Sequence, residues 1–150
     1  MTEVQWRDKV VASARSWLGT PYQHQASVKH VGCDCLGLVR GVYRDVVGRE
    51  PEAPPPYTPH WAEFSLYEPL WAAAKRHLRE IDITAAVPGD VLLFRVRRKG
   101  PAKHLGILSG PVRMIHAYSG LAVTETALVP WWRRRIVSAF RFPVGEEPKR

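Results

Sequence analysis

Gly32-Cys33-Asp34-Cys35-Leu36-Gly37-Leu38-Val39 carries the first structural inference from this chain. It closes a polar loop and opens a segment in which Leu36, Val39, Val42, Tyr43, Val46 and Val47 recur at helical spacing, with Gly48 as the stop. Asp34 has the short acceptor side chain favoured at an N-cap, so a helix is expected over 35–47 with Cys35 at its first position. A thiol placed there meets unpaired backbone N–H groups and the positive end of the helix dipole, a field that favours thiolate. A single cysteine more often packs as a small hydrophobe. Here a helix start, a capping aspartate and two later histidines direct the reading toward reactivity.

On the N-terminal side, Thr2 and Gln5 have capping-box spacing, and Trp6, Val10, Val11, Ala14, Trp17 and Leu18 form one apolar stripe. A helix is expected over 3–18, stopped by Gly19 with Pro21 beyond. Thr20-Pro21-Tyr22-Gln23-His24-Gln25 is then the loop leading to the cysteines. On the C-terminal side, residues 49–61 hold five prolines and no periodic pattern, which reads as an extended arm. Ser65-Leu66-Tyr67-Glu68 again has capping-box spacing, and Leu66, Leu70, Ala73, Ala74, Leu78 and Ile81 predict a third helix in which Trp71 packs.

From Pro88 the period changes. Val91–Val96, His104–Leu108, Val112–Tyr118, Ala122–Thr126 and Ile136–Phe142 are short, β-branched or alternating, and separated by Gly, Pro or charge. The expectation is an α+β fold, a single domain over 1–150 with N-terminal helices packed on a five-stranded antiparallel sheet and a loose tail from Pro143.

A cysteine nucleophile needs a base within hydrogen-bond reach and a third group to hold that base. Of the six histidines, His104 and His116 are the two on strands that can be neighbours. If their hairpin turns through Ser109-Gly110-Pro111 with Leu108 facing Val112, the two stand directly opposite on one face; a two-residue turn would put Ala117 opposite His104 instead. Gly106, on the same face, would leave room for a backbone or a substrate. The assignment is Cys35 as nucleophile, His104 as general base and His116 as the group orienting it. Backbone N–H groups around Cys35 are natural oxyanion donors. Tyr22 either adds a hydroxyl beside the thiol or caps the core as a loop aromatic.

Composition sets the outer limits. Apolar residues at 45% and charged residues at 24% describe a globular chain, and no run is long enough to cross a bilayer. The start, Met-Thr-Glu-Val-Gln-Trp-Arg-Asp, has neither the basic nor the apolar part of a signal peptide. Two cysteines are too few for a disulfide framework. Cys33-x-Cys35, with His24 and His30 nearby, lacks zinc-ligand spacing and a second cysteine pair, so no metal and no cofactor is expected and Cys33 is read as packed beside the active thiol. A formal net charge of +8 implies an anionic partner or a solubility surface. Trp131-Trp132-Arg133-Arg134-Arg135 is the most conspicuous basic patch, and either binds a glycan or a protein or is a loop with packed tryptophans and solvated arginines. No nucleic-acid-binding signature accompanies it.

Gly19-Thr20-Pro21-Tyr22, the Gly32–Val39 stretch, Pro88-Gly89-Asp90-Val91-Leu92-Leu93-Phe94, His104-Leu105-Gly106-Ile107 and Met114-Ile115-His116-Ala117 together resemble, in order, the NlpC/p60 family of papain-like cysteine peptidases. The resemblance spans residues 10–142. It implies the papain-like fold and a thiol endopeptidase of peptidoglycan stem peptides, typically cutting between D-glutamate and a diamino acid. It also implies Cys35 as nucleophile, His104 as base, His116 as the third polar residue and Tyr22 as the tyrosine near the thiol; Tyr22 and Asp34 are the residues expected to serve the oxyanion or position the substrate. The family's usual serine after the cysteine is here Leu36, its aromatic before the aspartate is Cys33, and its glycine pair after Pro-Tyr is Gln23-His24-Gln25. With no signal peptide and no wall-binding domain, these departures look most like the tail-associated peptidases of phages and gene transfer agents. The implied setting is a virion tail or baseplate, with tail proteins as partners, assembled in the cytoplasm and acting in the periplasm, without nucleic acid or membrane as partner. A mainly structural tail component, or an amidase of the same fold, is the alternative.

Overall fold

The computed structural model describes residues 1–50 and 69–143. Most of the expected proline-rich arm, the Ser65/Glu68 capping box and the end of the tail lie outside them.

Helix α1, Glu3–Arg15, starts as its sequence requires. The Thr2 hydroxyl accepts the Gln5 N–H at 3.2 Å, and the Gln5 side chain accepts the Thr2 N–H at 2.7 Å. It ends before the expected residue 18 because the Trp17 and Leu18 N–H groups turn to carbonyls three residues back, tightening the last turn. Gly19 then leaves with φ +85°. A small hairpin, β1 Ser27–Val28 with β2 Gly32–Cys33, leads into α2, Cys35–Val46. The helices pack closely because Gly41 has no side chain: a Cβ there would lie 1.9 Å from the Trp17 ring.

Helix α3 covers Pro69–His77. Ile81, expected to close its stripe, instead ends a strand, β3 Arg79–Ile81, paired with the last strand. The remaining strands are β4 Val91–Arg95, β5 Ala102–Gly110, β6 Arg113–His116, β7 Thr124–Ala127 and β8 Ile136–Arg141. They form an antiparallel sheet of six in the order β3-β8-β4-β5-β6-β7, so the five expected strands are present and one was missed. Three residues of which only Ile81 favours a strand carry too little pattern to separate a strand from a helix end. A short helix, α4 Pro130–Arg133, replaces the expected loop before β8.

Alternation along the strands divides the interior. Val91, Leu93, Leu105, Ile107, Ile115 and Phe140 meet Val10, Ala14, Leu38 and Val42 from the helices. On the other face Leu92, Phe94, Leu108, Met114, Leu128 and Ala139 gather with Ile81, Ile136 and Trp132. Asp90, 1% exposed, explains the Pro-Gly-Asp block: Arg141 grips its carboxylate through two bonds of 2.9 and 2.8 Å, joining the start of β4 to the end of β8.

The β5–β6 hairpin differs from expectation in an instructive way. Gly110 pairs with Arg113 across a two-residue turn, Pro111-Val112. None of these residues has positive φ, so the turn is not of the primed type that matches strand twist. A register shift between Leu108 and Gly110 follows, after which Leu108 faces Met114 and Ile107 faces Ile115. That register sets His116 across from Gly106, so the two histidines are diagonal neighbours rather than directly opposed. The bulge restores the parity that the turn alone would have lost, and both remain on one face. The space at Gly106 is filled from within: a Cβ there would lie 2.8 Å from Met114 Sδ.

Candidate active site

Cys35 takes its place from its own loop and helix. Asp34 caps α2, its Oδ1 accepting the Gly37 N–H at 2.7 Å while Oδ2 accepts the Gln25 N–H at 2.8 Å; His24 Nδ1 lies 3.8 Å from Oδ2. Both carboxylate oxygens thus brace the loop before the helix. Gly37 is required because the Ala26 carbonyl presses on the first turn, 1.9 Å from where a Cβ would stand. Cys33 is fully buried in the core between the helices and the sheet. Leu36, at the family's usual serine position, packs against that same core.

The half-buried Cys35 sulfur lies against β5 on either side of His104. Its thiol donates to the Lys103 carbonyl at 3.9 Å, and the Leu105 and Leu36 N–H groups point at it. β6 pairs with β5 only from Ile107 toward the turn, so this part of the β5 edge is left to the thiol. Among the described residues the sulfur's hydrogen bonds go to the β5 backbone and to its own helix start, and none joins it to an imidazole.

The expectation of a thiolate at the helix end is overturned. Burial, with the Asp34 carboxylate second, pushes the Cys35 thiol up to about 12, against the opposing Leu105 and Leu36 N–H groups. Tyr22 is held up at about 12 by burial first and then by Cys35 and Asp34, so its hydroxyl keeps its proton and can donate. It sits beside Cys33 through a backbone bridge.

His104 and His116 are each 4% exposed and joined, His104 Nε2 to His116 Nδ1 at 2.9 Å. Burial, then the neighbouring His116, drives the His104 pKa well below its ordinary value; burial alone lowers His116 to about 4. Both rings are therefore neutral at physiological pH. With His104 Nε2 committed to His116, Nδ1 is the nitrogen available to the thiol. The arrangement is a half-buried thiol, a neutral imidazole on the strand against which it lies, and backbone donors around the sulfur, the parts that nucleophilic attack on a carbonyl requires.

Two further residues join that were not singled out for it. Thr126 Oγ1 lies 3.1 Å from His116 Nε2. Trp132, read as part of a basic surface patch, is turned inward: its ring stacks on His104 at 4.9 Å and 28°, and meets Phe94, His116 and Tyr118 edge-on at 5.1–5.5 Å. The patch is thus divided. Arg135 lies over the Trp131 ring at 3.6 Å and donates to the Trp131 and Val96 carbonyls, Arg133 donates to the Leu128 carbonyl, and Trp131 and Arg134 face solvent. Pro130 at the helix start was the available signal that Trp131 and Trp132 would point in different directions. Among the described residues, no three His, Cys, Asp or Glu side chains gather as a metal shell would require.

The NlpC/P60 family pattern matches residues 19–141. The chain is 30% identical over 141 residues to the γ-DL-glutamyl hydrolase of Bacillus subtilis and 29% identical over 129 residues to the murein DD-endopeptidase MepH of Escherichia coli. These alignments cover 93% and 83% of this chain but only 30% and 41% of the relatives' own lengths. Among solved structures, the NlpC/p60 domain of the peptidoglycan hydrolase SagA superposes with TM-score 0.64 at 25% identity, covering 91% of this chain and 98% of that one. An NlpC/P60 protein from Bacillus cereus gives TM-score 0.68 at 21% identity, covering 91% of this chain and 40% of that one, a likeness of fold.

Proposed function

Because this chain belongs to the NlpC/P60 family, we propose that it is a cysteine endopeptidase of peptidoglycan stem peptides. The observation that carries the reading is the Cys35 sulfur held against the backbone on both sides of His104, whose far nitrogen is fixed by His116 at 2.9 Å. The named activities of the relatives support it.

In the first step His104 Nδ1 takes the thiol proton as Sγ bonds to the scissile carbonyl carbon, and the carbonyl π pair moves onto oxygen. The Cys35 N–H and the protonated Tyr22 hydroxyl are the donors proposed to receive that oxyanion. The intermediate collapses by breaking the C–N bond, with His104 returning the proton to the leaving amine. A water deprotonated by His104 then attacks the thioester, releasing the carboxylate product and restoring the thiol. His116 holds the base ring throughout.

Digestion of purified cell walls by the parent and by Cys35→Ala tests the reading. Soluble fragments are expected from the parent alone, with peptide bonds inside the stem cut in the mass spectra. Equal clearing by both proteins overturns the enzyme; free stem peptides cut from the sugar make it an amidase. His104→Ala is expected to abolish turnover and His116→Ala to leave a residue of it, because an orienting group is partly replaceable.

The setting within this proposal is a phage-like or gene-transfer-agent tail, from which the enzyme opens the wall during DNA delivery. It is supported by Gln23-His24-Gln25, Cys33 and Leu36 where wall-hydrolase relatives usually differ. Mass spectrometry of purified particles is expected to find the chain among the tail proteins, and its absence there removes this setting.

A further inference from the structure

We propose that Thr126 is a positioning residue that steadies the protonated form of His104 through His116. The proposal rests on His104 acting as base. Thr126 stands on β7 across from Met114, one diagonal step from His116 on the same face. Thr126 Oγ1, His116 Nε2, His116 Nδ1 and His104 Nε2 form one chain with links of 3.1 and 2.9 Å.

A neutral imidazole carries one proton, so this chain has two directions. In one, His104 Nε2–H donates to His116 Nδ1 and His116 Nε2–H donates to Thr126 Oγ1. His104 Nδ1 then offers a lone pair to the thiol. In the other, His116 Nδ1–H donates to His104 Nε2, and His104 must carry its proton on Nδ1, where it cannot accept another. The Thr126 hydroxyl accepts the His116 Nε2–H in the first direction and donates to the Nε2 lone pair in the second, so it serves either direction of the resting pair. Once His104 has taken the thiol proton, both its nitrogens bear hydrogen and only the first direction is compatible with the short link to His116. The acceptor is therefore needed most when charge develops, which is when a positioning group affects rate rather than binding.

Without the hydroxyl, the His116 Nε2–H that protonated His104 requires is left unsatisfied in an interior that includes Met114 and Trp132. Thr126→Val, of matching shape, is expected to lower kcat on the order of 10- to 100-fold with KM little changed; Thr126→Ser is expected to restore it. Nitrogen-15 chemical shifts of histidine-labelled protein followed against pH read the protonation of His104 directly: its midpoint is expected lower in Thr126→Val than in the parent and in Thr126→Ser. An unchanged His104 protonation midpoint in a folded Thr126→Val, or failure of Thr126→Ser to restore rate in a folded protein, overturns the proposal. The spectra need no turnover. A parent that cuts no substrate, with the Thr126→Val midpoint lowered as expected, loses the peptidase reading and keeps the relay.

Discussion

At Cys35 two opposing influences act on one sulfur. The helix N-terminus and two N–H groups favour thiolate, while burial and the Asp34 carboxylate disfavour it, and the second pair wins. The resting state is therefore thiol beside neutral imidazole, and attack must be coupled to proton transfer. Because the folded pKa of His104 is lowered, the base becomes competent below the usual imidazole range. The acid limb of kcat/KM is expected below pH 6.5, measured with a soluble stem-peptide substrate. Trp132 contributes to that shift by covering the ring. In Trp132→Ala water reaches His104, so the acid limb is expected to move up toward 6.5 as activity falls, whereas Arg134→Ala, altering an exposed side chain, leaves both unchanged. Identical profiles for the two variants would show that the indole does not set the base.

At the scale of elements, the site depends on backbone approaches that only certain residues permit. Gly37 lets the Ala26 carbonyl lie against the first turn of α2, so Gly37→Ala forces the loop off the helix that carries Cys35. A loss of about 3 kcal/mol is expected by urea denaturation, the scale of overpacking at a rigid backbone contact. A loss under about 0.5 kcal/mol, that of an indifferent surface site, would show that the contact yields freely. These elements were legible in the sequence to different degrees. The α2 start was readable because Asp34, Cys35 and the apolar period all report on local geometry. The strand positions of His104 and His116 followed from alternation, and their shared face was correctly inferred. Their register was not, because a turn of two residues plus a bulge gives the same parity as the longer turn and no single residue distinguishes them. The partners of Trp132 and Thr126 were hidden for another reason: each acts through a contact between distant segments, and although Pro130 marked the helix start that orients Trp132, no spacing announces which ring or nitrogen either residue meets.

Across the whole molecule, the buried pair ties stability to pH. His104 and His116 both have folded pKa values below the ordinary 6.5, so the unfolded chain binds more protons than the folded one in the interval below it. Stability contributed by the neutral rings is fully present above pH 6.5 and is lost as pH falls; for His116 the loss runs down to about 4. A change of that size at one buried site corresponds to roughly 3 kcal/mol. The surroundings steepen the cost. From Val91 to Pro143, the segment carrying both histidines, Glu125 is the only acidic residue in a chain of formal charge +8, so each added proton meets a basic field. Tm is therefore expected to fall steadily between pH 6.5 and 4, and His116→Gln, which cannot take up the proton, to flatten that slope while lowering Tm at neutral pH. A parent Tm that stays level across the interval would mean that the rings are hydrated and protonate freely in the folded state, and the neutral base proposed for catalysis would lose its physical footing.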